Sequence, residues 1–473
     1  MTLDVAAILS ATGARAIRLS AGHRFDELSV ADLETGFREA RVDSRQVEQG
    51  DLFVALPGEQ TDGHRFIGQA LRRGALGAMV QRVPDDLPDV PGHRYLFVTP
   101  NPLQALQSTA TLWRRRHAAE VIGITGSIGK TTTKEIIAGV LSSAMPTLRS
   151  EANLNTEIGV PMMLLRLGPE HRAAVLEMGM YVPGDIGLLA RIAEPRIGIV
   201  TNVHPIHLER AGSLERIARG KSELIQALPP GGLAILNADD AWTRAMAVSS
   251  GIARVVLVGT APDAAYRAED ITSHGLDGYE LTVRAEGGAH RLRVGVAGTH
   301  TVHAVLAAIA TGREMDLSWT EIATALEALR LDSRQRITRR DDFLLIDDSY
   351  NAAPMSVKAA LDLLRAAPGR KIAVLGDMLE LGEGEETAHR EVGEYAAAVA
   401  DWLVARGPRS AGTAEAAARR GMDAGRIVHV DDNQHALEAV QTILRSDPGK
   451  WSVLVKGSRG MRMEEIVHGL ENL

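Results

Sequence analysis

The segment from Thr125 to Thr132 has the composition of a phosphate-binding loop. It lies between an apolar run that ends at Ile124 and a helical pattern that begins near Lys134. Glycines let backbone N–H groups turn toward a phosphate, a lysine reaches the terminal phosphates, and the following threonine can bind Mg²⁺. Gly123 lies one residue too far upstream for the regular spacing, so the loop is a variant, and an ordinary glycine-rich turn is the alternative. The sequence predicts ATP binding by Thr125, Gly126, Ser127, Ile128, Gly129, Lys130, Thr131 and Thr132.

Three further residues have chemistry that suits a phosphate site. Glu177 follows one apolar strand pattern, and His207 follows the pattern at 197–203. Open α/β sheets bind their ligands at the carboxyl ends of the strands, where both residues are expected. Lys221 lies on a predicted helix, where it could equally belong to a solvated charged face. Taken one by one, each of the three could be an ordinary surface side chain.

Composition restricts the classes of partner. The chain has 473 residues, of which 45% are hydrophobic and 24% charged, so it can bury several cores. Its net charge of -8 argues against nucleic acid or an anionic membrane as the main partner. The absence of cysteine excludes disulfides and thiol catalysis and fits a reducing compartment. With no basic leader before an apolar run and no stretch of about 18 apolar residues, we expect a soluble cytoplasmic protein without membrane insertion.

Three zones follow one another, which we predict to be domains 1–115, 116–331 and 332–473. Apolar runs alternate with helical patterns in the second and third zones, as in parallel sheets covered on both faces. The stretch 279–296 alternates polar and apolar residues around two glycines, which predicts an antiparallel hairpin. The predicted strands are 51–56, 95–98, 173–176, 197–200, 233–236, 254–258, 343–346, 371–375, 402–404 and 452–455. The expected fold is α/β, with a small N-terminal α/β domain, a central P-loop ATPase domain with a parallel sheet and a Rossmann-like C-terminal domain.

Longer segments resemble the Mur ligases of peptidoglycan precursor synthesis. In the second zone these segments are 125–131, 150–161, 177–179, 201–203 with 207–209, 221–223 and 236–240. Residues 43–64 resemble the UDP-sugar-binding domain of the later-acting members. In the third zone, the segments 347–352, 375–382 and 455–459 resemble the member that acts last. The Asp-Asn-Pro-Arg motif that reads diaminopimelate in the preceding member is absent.

This resemblance implies an enzyme that adds D-alanyl-D-alanine to UDP-N-acetylmuramoyl-tripeptide through an acyl phosphate. The reaction brings two anions together and therefore needs cations. The resemblance assigns this role to Lys130, to a Mg²⁺ held by Thr131 and Glu177, and to a second Mg²⁺ near His207. It also implies that Arg334 reaches the γ-phosphate from the third domain.

The same resemblance implies further groups in the site. Lys221 matches the lysine that family members carbamylate, which turns a cation into an anion able to hold the second Mg²⁺. Asp348 and Asn351 are implied to lie near the nucleotide. The UDP-substrate site is implied to contain Asp43, Ser44, Arg45, Asn155 and Thr156. We expect the protein to be monomeric.

The chain departs from the family pattern at three places. The His-Asn-x-x-Asn stretch is His300-Thr301-Val302-His303-Ala304 here, so two asparagines expected near the adenine are absent. Tyr-Asn-Ala-Asn-Pro is replaced at 350–354, where the fourth residue is alanine, and an Arg-x-Glu pattern reads Arg-Gln-Arg at 334–336. The absence of the two asparagines predicts that the enzyme still uses ATP but tolerates GTP better than a member with both, with His303 as the residue that can compensate.

Two other functions fit parts of the pattern. A polyglutamate-forming ligase of the same superfamily would share the central domain, but the motifs in residues 43–64 argue against it. A nucleotide-dependent regulatory module would keep the phosphate loop without needing a second metal site or an arginine from the third domain. Phosphate release that requires both co-substrates separates the ligase from the regulatory module.

Overall fold

Three sheets, each with its own helices, follow one another along the chain. The computed structural model describes residues 3–20, 23–58, 61–205, 212–249, 251, 254–331, 336–340, 343–447 and 449–473. The α/β fold class predicted from the sequence is confirmed. None of the helices within those ranges has the length and apolar character of a transmembrane span.

The first sheet has six strands and mixed pairing. From edge to edge they are His23–Phe25, Arg15–Ser20, Arg94–Val98, Gly77–Val80, Leu52–Val54 and Ala40–Arg41. The first three strands pair antiparallel and the others parallel, while Leu3–Asp4 and Gly36–Phe37 form a separate two-stranded ribbon. The helices of this unit are Val5–Thr12, Val30–Leu33, Ile67–Arg72 and Pro102–Arg115.

The helix Pro102–Arg115 joins the first unit to the second. Its start is fixed by the Asn101 side chain, which accepts a hydrogen bond from the backbone of Gln104, and by the proline in the first turn. Its buried face includes Leu106 and Trp113, and the Trp113 indole donates to the carbonyl of Leu167 at 3.0 Å. Burial of one such apolar side chain contributes about 1.5–3 kcal/mol, so this helix anchors the two units to each other.

The second sheet has nine strands. In spatial order they are Thr147–Arg149, Ala173–Glu177, Glu120–Thr125, Ile197–Val200, Leu233–Asn237, Arg254–Gly259, Tyr266–Ser273, Tyr279–Ala285 and Gly288–Val294. The first seven pair parallel and the last two form the predicted hairpin. The described α-helices are Lys130–Ser142, Gly159–Leu164, Asp185–Ala193, Leu214–Gln226, Ala241–Ser249, Val302–Glu314 and Trp319–Ala328. Helices on both faces bury the central strands, which is why these are continuous apolar runs.

The third sheet has six strands, which are parallel except at one edge. Their order is Arg336–Arg339, Phe343–Asp348, Trp451–Lys456, Arg370–Gly376, Trp402–Arg406 and Ile427–Val430. The helices are Pro354–Ala366, Glu385–Ala397, Ala411–Arg419, Asn433–Ser446 and Glu464–Glu471. Short 3₁₀ segments across the chain are Ser44–Gln46, Gly63–Phe66, Gly275–Asp277, Thr299–Thr301, Gly382–Gly384, Ala424–Arg426 and Arg459–Met461.

Every strand predicted from an apolar run overlaps a strand of the structure, and the hairpin prediction is confirmed. Several strands were not predicted, among them Tyr266–Ser273 and Arg336–Arg339. Both are rich in charged and polar residues, and most of their side chains are exposed or half-buried. They therefore lack the continuous apolar run by which buried strands are recognised.

Candidate active site

The predicted phosphate loop connects the strand Glu120–Thr125 to the helix Lys130–Ser142. Gly126 and Gly129 have φ angles of 148° and 82°, which L side chains rarely adopt. A Cβ atom at Gly126 would also overlap the Thr201 hydroxyl. Glycine is therefore required there, and the loop leads directly into a helix N-terminus whose free N–H groups favour anions.

The end of a neighbouring strand holds this loop in place. The backbone N–H of Ile128 donates to Asn202 Oδ1 at 2.9 Å, and Asn202 Nδ2 donates to the Ile128 carbonyl at 3.0 Å. The Ser127 hydroxyl donates to the His204 carbonyl at 3.0 Å. Asn202 was not among the predicted site residues, although its position just after the strand Ile197–Val200 was a signal. The loop is thus preorganised by the sheet itself.

Lys130 folds back over the phosphate loop. Its Nζ donates to the carbonyls of Gly126 and Ser127, at 2.9 and 3.2 Å, and its side chain is half-buried. The ammonium is therefore held at the mouth of the loop, where the phosphates of a bound nucleotide would lie.

Thr131 and Glu177 contact each other beside the loop. The Thr131 hydroxyl donates to Glu177 Oε2 at 2.7 Å, and Asn155 Nδ2 donates to Glu177 Oε1 at 2.9 Å. Glu177 ends the strand Ala173–Glu177, and its backbone N–H donates to the Ser150 hydroxyl. The side chains of Thr131 and Glu177, the two candidate metal ligands of this contact, are buried. A hydroxyl and one carboxylate fit Mg²⁺, which prefers oxygen ligands and is usually held by one or two carboxylates together with phosphates.

Lys221 is buried, with 4% of its surface exposed, on the helix Leu214–Gln226. Burial, reinforced by the nearby positive charge of Lys130, lowers the pKa of Lys221 well below its ordinary value. Two residues along, the Glu223 carboxylate accepts hydrogen bonds from the N–H groups of Gly184 and Gly187 at 2.7 and 2.9 Å. The alternative that Lys221 belongs to a solvated charged face is therefore wrong, whereas Glu223 stabilises the start of the neighbouring helix Asp185–Ala193.

The third unit contributes a buried ion pair to the site. Asp348 and Lys456 end two adjacent parallel strands in register, and Lys456 Nζ lies 2.6 Å from Asp348 Oδ2. The same ammonium donates to the Asn351 carbonyl at 2.8 Å. His300, from the second unit, is exposed and lines the cleft. The atoms packed around its ring and the positive charge of Lys456 nevertheless lower its pKa to about 4. The two units therefore meet at this point.

One cleft brings most of the candidates together. Its volume is 1020 Å³, and its walls come from the second and third units. The predicted residues that line it are Ser127, Ile128, Gly129, Lys130, Thr131, Thr132, Asn155, Thr156, Glu177, Asp348 and Asn351. Lys456, which sequence analysis did not single out, also lines it, although it lies in a segment with a family resemblance.

Other candidates lie elsewhere. Asp43, Ser44 and Arg45 do not line this cleft. Arg45 pairs with Asp43 at 2.7 Å and leaves 81% of its side chain exposed, while the Ser44 hydroxyl donates to Gln69. His207 and Arg334 lie outside the described residues, so their roles stay predictions.

Comparison with known proteins gives consistent matches along the chain. Three family models match it, described as Mur ligase family, catalytic domain (residues 38–111), Mur ligase middle domain (124–312) and Mur ligase, glutamate ligase domain (330–459). The chain is 34% identical to the UDP-N-acetylmuramoyl-tripeptide--D-alanyl-D-alanine ligase of Bacillus subtilis, over 92% of this chain and 94% of the relative. It is 39% identical to the protein of that name from Synechocystis, over 77% of this chain and 78% of the relative.

Solved structures agree with these matches. A crystal structure of MurF from Acinetobacter baumannii superposes with a TM-score of 0.86 at 30% identity and covers 99% of both chains. MurF from Thermotoga maritima in complex with ADP superposes with a TM-score of 0.78 at 27% identity, over 92% of this chain and 97% of the other.

Proposed function

The chain belongs to the Mur ligase family, and we propose that it is the ATP-dependent ligase that joins D-alanyl-D-alanine to UDP-N-acetylmuramoyl-tripeptide. Relatives with this activity in their names are 31–39% identical over 77–94% of the chain. The product is the pentapeptide precursor of peptidoglycan. The lack of cysteine and the use of ATP support a cytoplasmic location, and we propose a monomer.

The observation that carries this proposal is the pairing of two kinds of site in one cleft. The phosphate loop with its Thr131–Glu177 contact forms one wall, and the Asp348–Lys456 pair of the third unit lies on another. A simple nucleotide switch needs only the first. A ligase must also hold an acceptor carboxylate and an amine next to the γ-phosphate, which a cleft between two units can do.

The reaction begins when the terminal carboxylate of the tripeptide attacks the γ-phosphorus of ATP and ADP leaves. The amine of D-alanyl-D-alanine then attacks the carbonyl carbon of the acyl phosphate, loses a proton, and expels phosphate as the amide forms. Lys130 can exchange its carbonyl partners for phosphate oxygens as negative charge develops on the leaving ADP. Preorganised cations of this kind typically contribute about 10²- to 10³-fold in rate.

The metal sites are part of the proposal. Thr131 and Glu177 would hold one Mg²⁺, and Asn155 orients the Glu177 carboxylate through its hydrogen bond. His207 and Lys221 would hold a second. When bound, Mg²⁺ neutralises phosphate charge and orients the attacked phosphoryl group.

The buried position of Lys221 supports carbamylation. Carbon dioxide adds only to a neutral amine and releases a proton as the carbamate forms. The low pKa that burial gives Lys221 supplies the neutral amine. The product is an anion, so the like-charge repulsion from Lys130 becomes an attraction.

A phosphate-release assay tests the function. The enzyme is given ATP, Mg²⁺ and UDP-N-acetylmuramoyl-tripeptide with either lysine or diaminopimelate at position three, together with D-alanyl-D-alanine, D-alanine, L-alanyl-L-alanine or L-glutamate. We expect release to require both the UDP-tripeptide and D-alanyl-D-alanine. Release with L-glutamate alone among the amines would indicate a polyglutamate-type ligase. Release without either co-substrate would indicate a nucleotide-dependent module.

A further inference from the structure

The two positions where the family asparagines are missing have no side chain left to read a base. The Thr301 hydroxyl is buried and donates to the Gly298 carbonyl at 2.8 Å while sharing a 3.0 Å hydrogen bond with the Tyr279 hydroxyl. Ala304 is buried and carries no polar side-chain atom. Any base recognition by this helix must therefore come from a neighbouring residue.

His303 is that neighbour. It lies in the first turn of the helix Val302–Glu314, lines the cleft, and leaves 37% of its side chain exposed. Its Nε2 lies 2.7 Å from Asp239 Oδ2. The imidazole is thus held from one side by a carboxylate, while part of the ring remains accessible from the cleft.

Asp239 is itself fixed by backbone groups. Its Oδ2 accepts from the Thr260 N–H at 2.7 Å, and its Oδ1 accepts from the Ala261 N–H at 2.9 Å. A Cβ atom at Gly259 would lie 2.8 Å from Oδ2, so the carboxylate sits against bare backbone. Burial alone would raise the pKa of Asp239, but the Thr260 N–H and the His303 ring outweigh it and lower the pKa. Asp239 is therefore a fixed acceptor at neutral pH.

A fixed acceptor selects one tautomer of the histidine. In a neutral imidazole one nitrogen donates and the other accepts, and the partner of one nitrogen decides which is which. Because Nε2 faces the Asp239 carboxylate, Nε2 carries the proton. Nδ1 then presents a lone pair and can only accept a hydrogen bond.

The cleft that His303 lines also has apolar lining residues. Ile235, Val258, Ala304 and Ala307 are among them, and residues of the phosphate loop line the same cleft. Small-molecule sites commonly combine such apolar walls with a few placed polar groups. Adenine carries an amino group at position six, which donates, whereas hypoxanthine and guanine carry a carbonyl there, which accepts.

We propose that His303, oriented by Asp239, is the base-reading residue of this ATP site, with Nδ1 accepting a hydrogen bond from the 6-amino group of adenine. A 6-carbonyl base would place an oxygen against the Nδ1 lone pair. An imidazole–carboxylate pair thereby replaces the two missing asparagines. The proposal rests on the proposed function only in that the cleft binds a nucleoside triphosphate.

Direct binding measurements test it without requiring ligation. Calorimetry with Mg²⁺ near pH 8.5 compares ATP, ITP and purine riboside triphosphate, which lacks a 6-substituent. Since one neutral hydrogen bond gives up to about tenfold in affinity, we expect wild type to bind ATP about tenfold more tightly than ITP. His303→Ala should bring the ATP-to-ITP ratio close to one by weakening ATP, and should leave purine riboside triphosphate unchanged.

Two more variants and a control sharpen the test. His303→Gln should bind both nucleotides, because an amide can turn either its oxygen or its nitrogen to the base. Asp239→Asn, a positioning variant, should lower the ATP-to-ITP ratio because either imidazole nitrogen can then carry the proton. His435→Ala is the matched control: His435 Nδ1 lies 2.7 Å from Asp432 Oδ2 in an exposed pair outside the cleft, and its loss should leave the ratio unchanged.

Two results would overturn the proposal. A wild-type protein that binds ATP and ITP equally would show that the chain does not read position six, as the missing asparagines alone predict. A wild-type preference that survives in His303→Ala would show that another residue reads the base. A protein that prefers ATP over ITP but does not join D-alanyl-D-alanine would instead contradict the proposed function and leave this inference standing.

Discussion

Replacement of Lys130 by alanine should abolish most ligation and cost little stability. The change removes an ammonium that donates to the carbonyls of Gly126 and Ser127 at the mouth of the phosphate loop. Loss of one preorganised cation in phosphoryl transfer should lower kcat about 10²- to 10³-fold, which corresponds to roughly 2.7–4 kcal/mol.

The expected cost in stability is much smaller. Two hydrogen bonds from a half-exposed ammonium to carbonyls contribute together about 1 kcal/mol once solvent screening is included. For a domain of about 150–250 residues this lowers Tm by roughly 2–4 °C. The variant should therefore stay folded at the assay temperature, so that the loss of rate reports on chemistry.

Phosphate release under saturating co-substrates and calorimetric unfolding measure the two effects. Lys371→Ala is the matched control, because Lys371 Nζ donates to the Gly369 carbonyl at 2.6 Å and lies in the third unit, outside the cleft. It should show the same small Tm change with normal turnover. Normal turnover in Lys130→Ala would refute the phosphate-binding assignment, and a Tm loss of about 10 °C or more would show that the lysine is primarily structural.

Three further predictions follow from the site. Because the folded pKa of the uncarbamylated Lys221 amine lies below its unfolded value, the wild type without carbon dioxide loses stability as pH falls below that unfolded value; under these conditions Lys221→Met should be inactive yet more stable in urea at pH 7.5, with the difference shrinking toward pH 10. Glu177→Gln should raise the Mg²⁺ concentration for half-maximal activity at least tenfold, and Thr131→Val should do so less, as magnesium titrations would show. Arg45→Ala should raise KM for the UDP-tripeptide with unchanged kcat and Tm, since its only described ion pair is with Asp43 on an exposed surface; a change in kcat would contradict this.

The fold was largely predictable because its central strands are buried on both faces. Ile197–Val200 is buried throughout and matches its apolar run residue for residue. At the edge strand Arg336–Arg339 the same reasoning failed, because solvent contact removes the constraint that makes a strand apolar. An apolar pattern indicates which residues are buried. It predicts a strand or helix only where burial produces that pattern.

The candidate site was predictable where topology brings residues together. Thr131 and Glu177 are 46 positions apart. Glu177 ends one of two adjacent parallel strands, and Thr131 lies in the first turn of the helix that follows the other, so their 2.7 Å contact follows from the sheet. Burial of individual helix residues was not predictable in the same way. Lys221 and Glu223 have similar sequence surroundings, but Lys221 faces the phosphate loop while Glu223 caps a helix.

The pair of His303 and Asp239 shows what a motif comparison alone leaves out. The missing asparagines are visible in the sequence, and they suggest weak base recognition. The carboxylate that orients His303 lies 64 positions away, at the end of a different strand. A residue that reads the base must supply a hydrogen-bond acceptor at a fixed place. Two asparagine side chains are only one way to supply it. An imidazole does so once a hydrogen-bonded carboxylate, itself held by backbone N–H groups, has fixed its tautomer. Loss of a motif therefore predicts loss of its function only when no neighbouring side chain can reach the same place with the same hydrogen-bonding role.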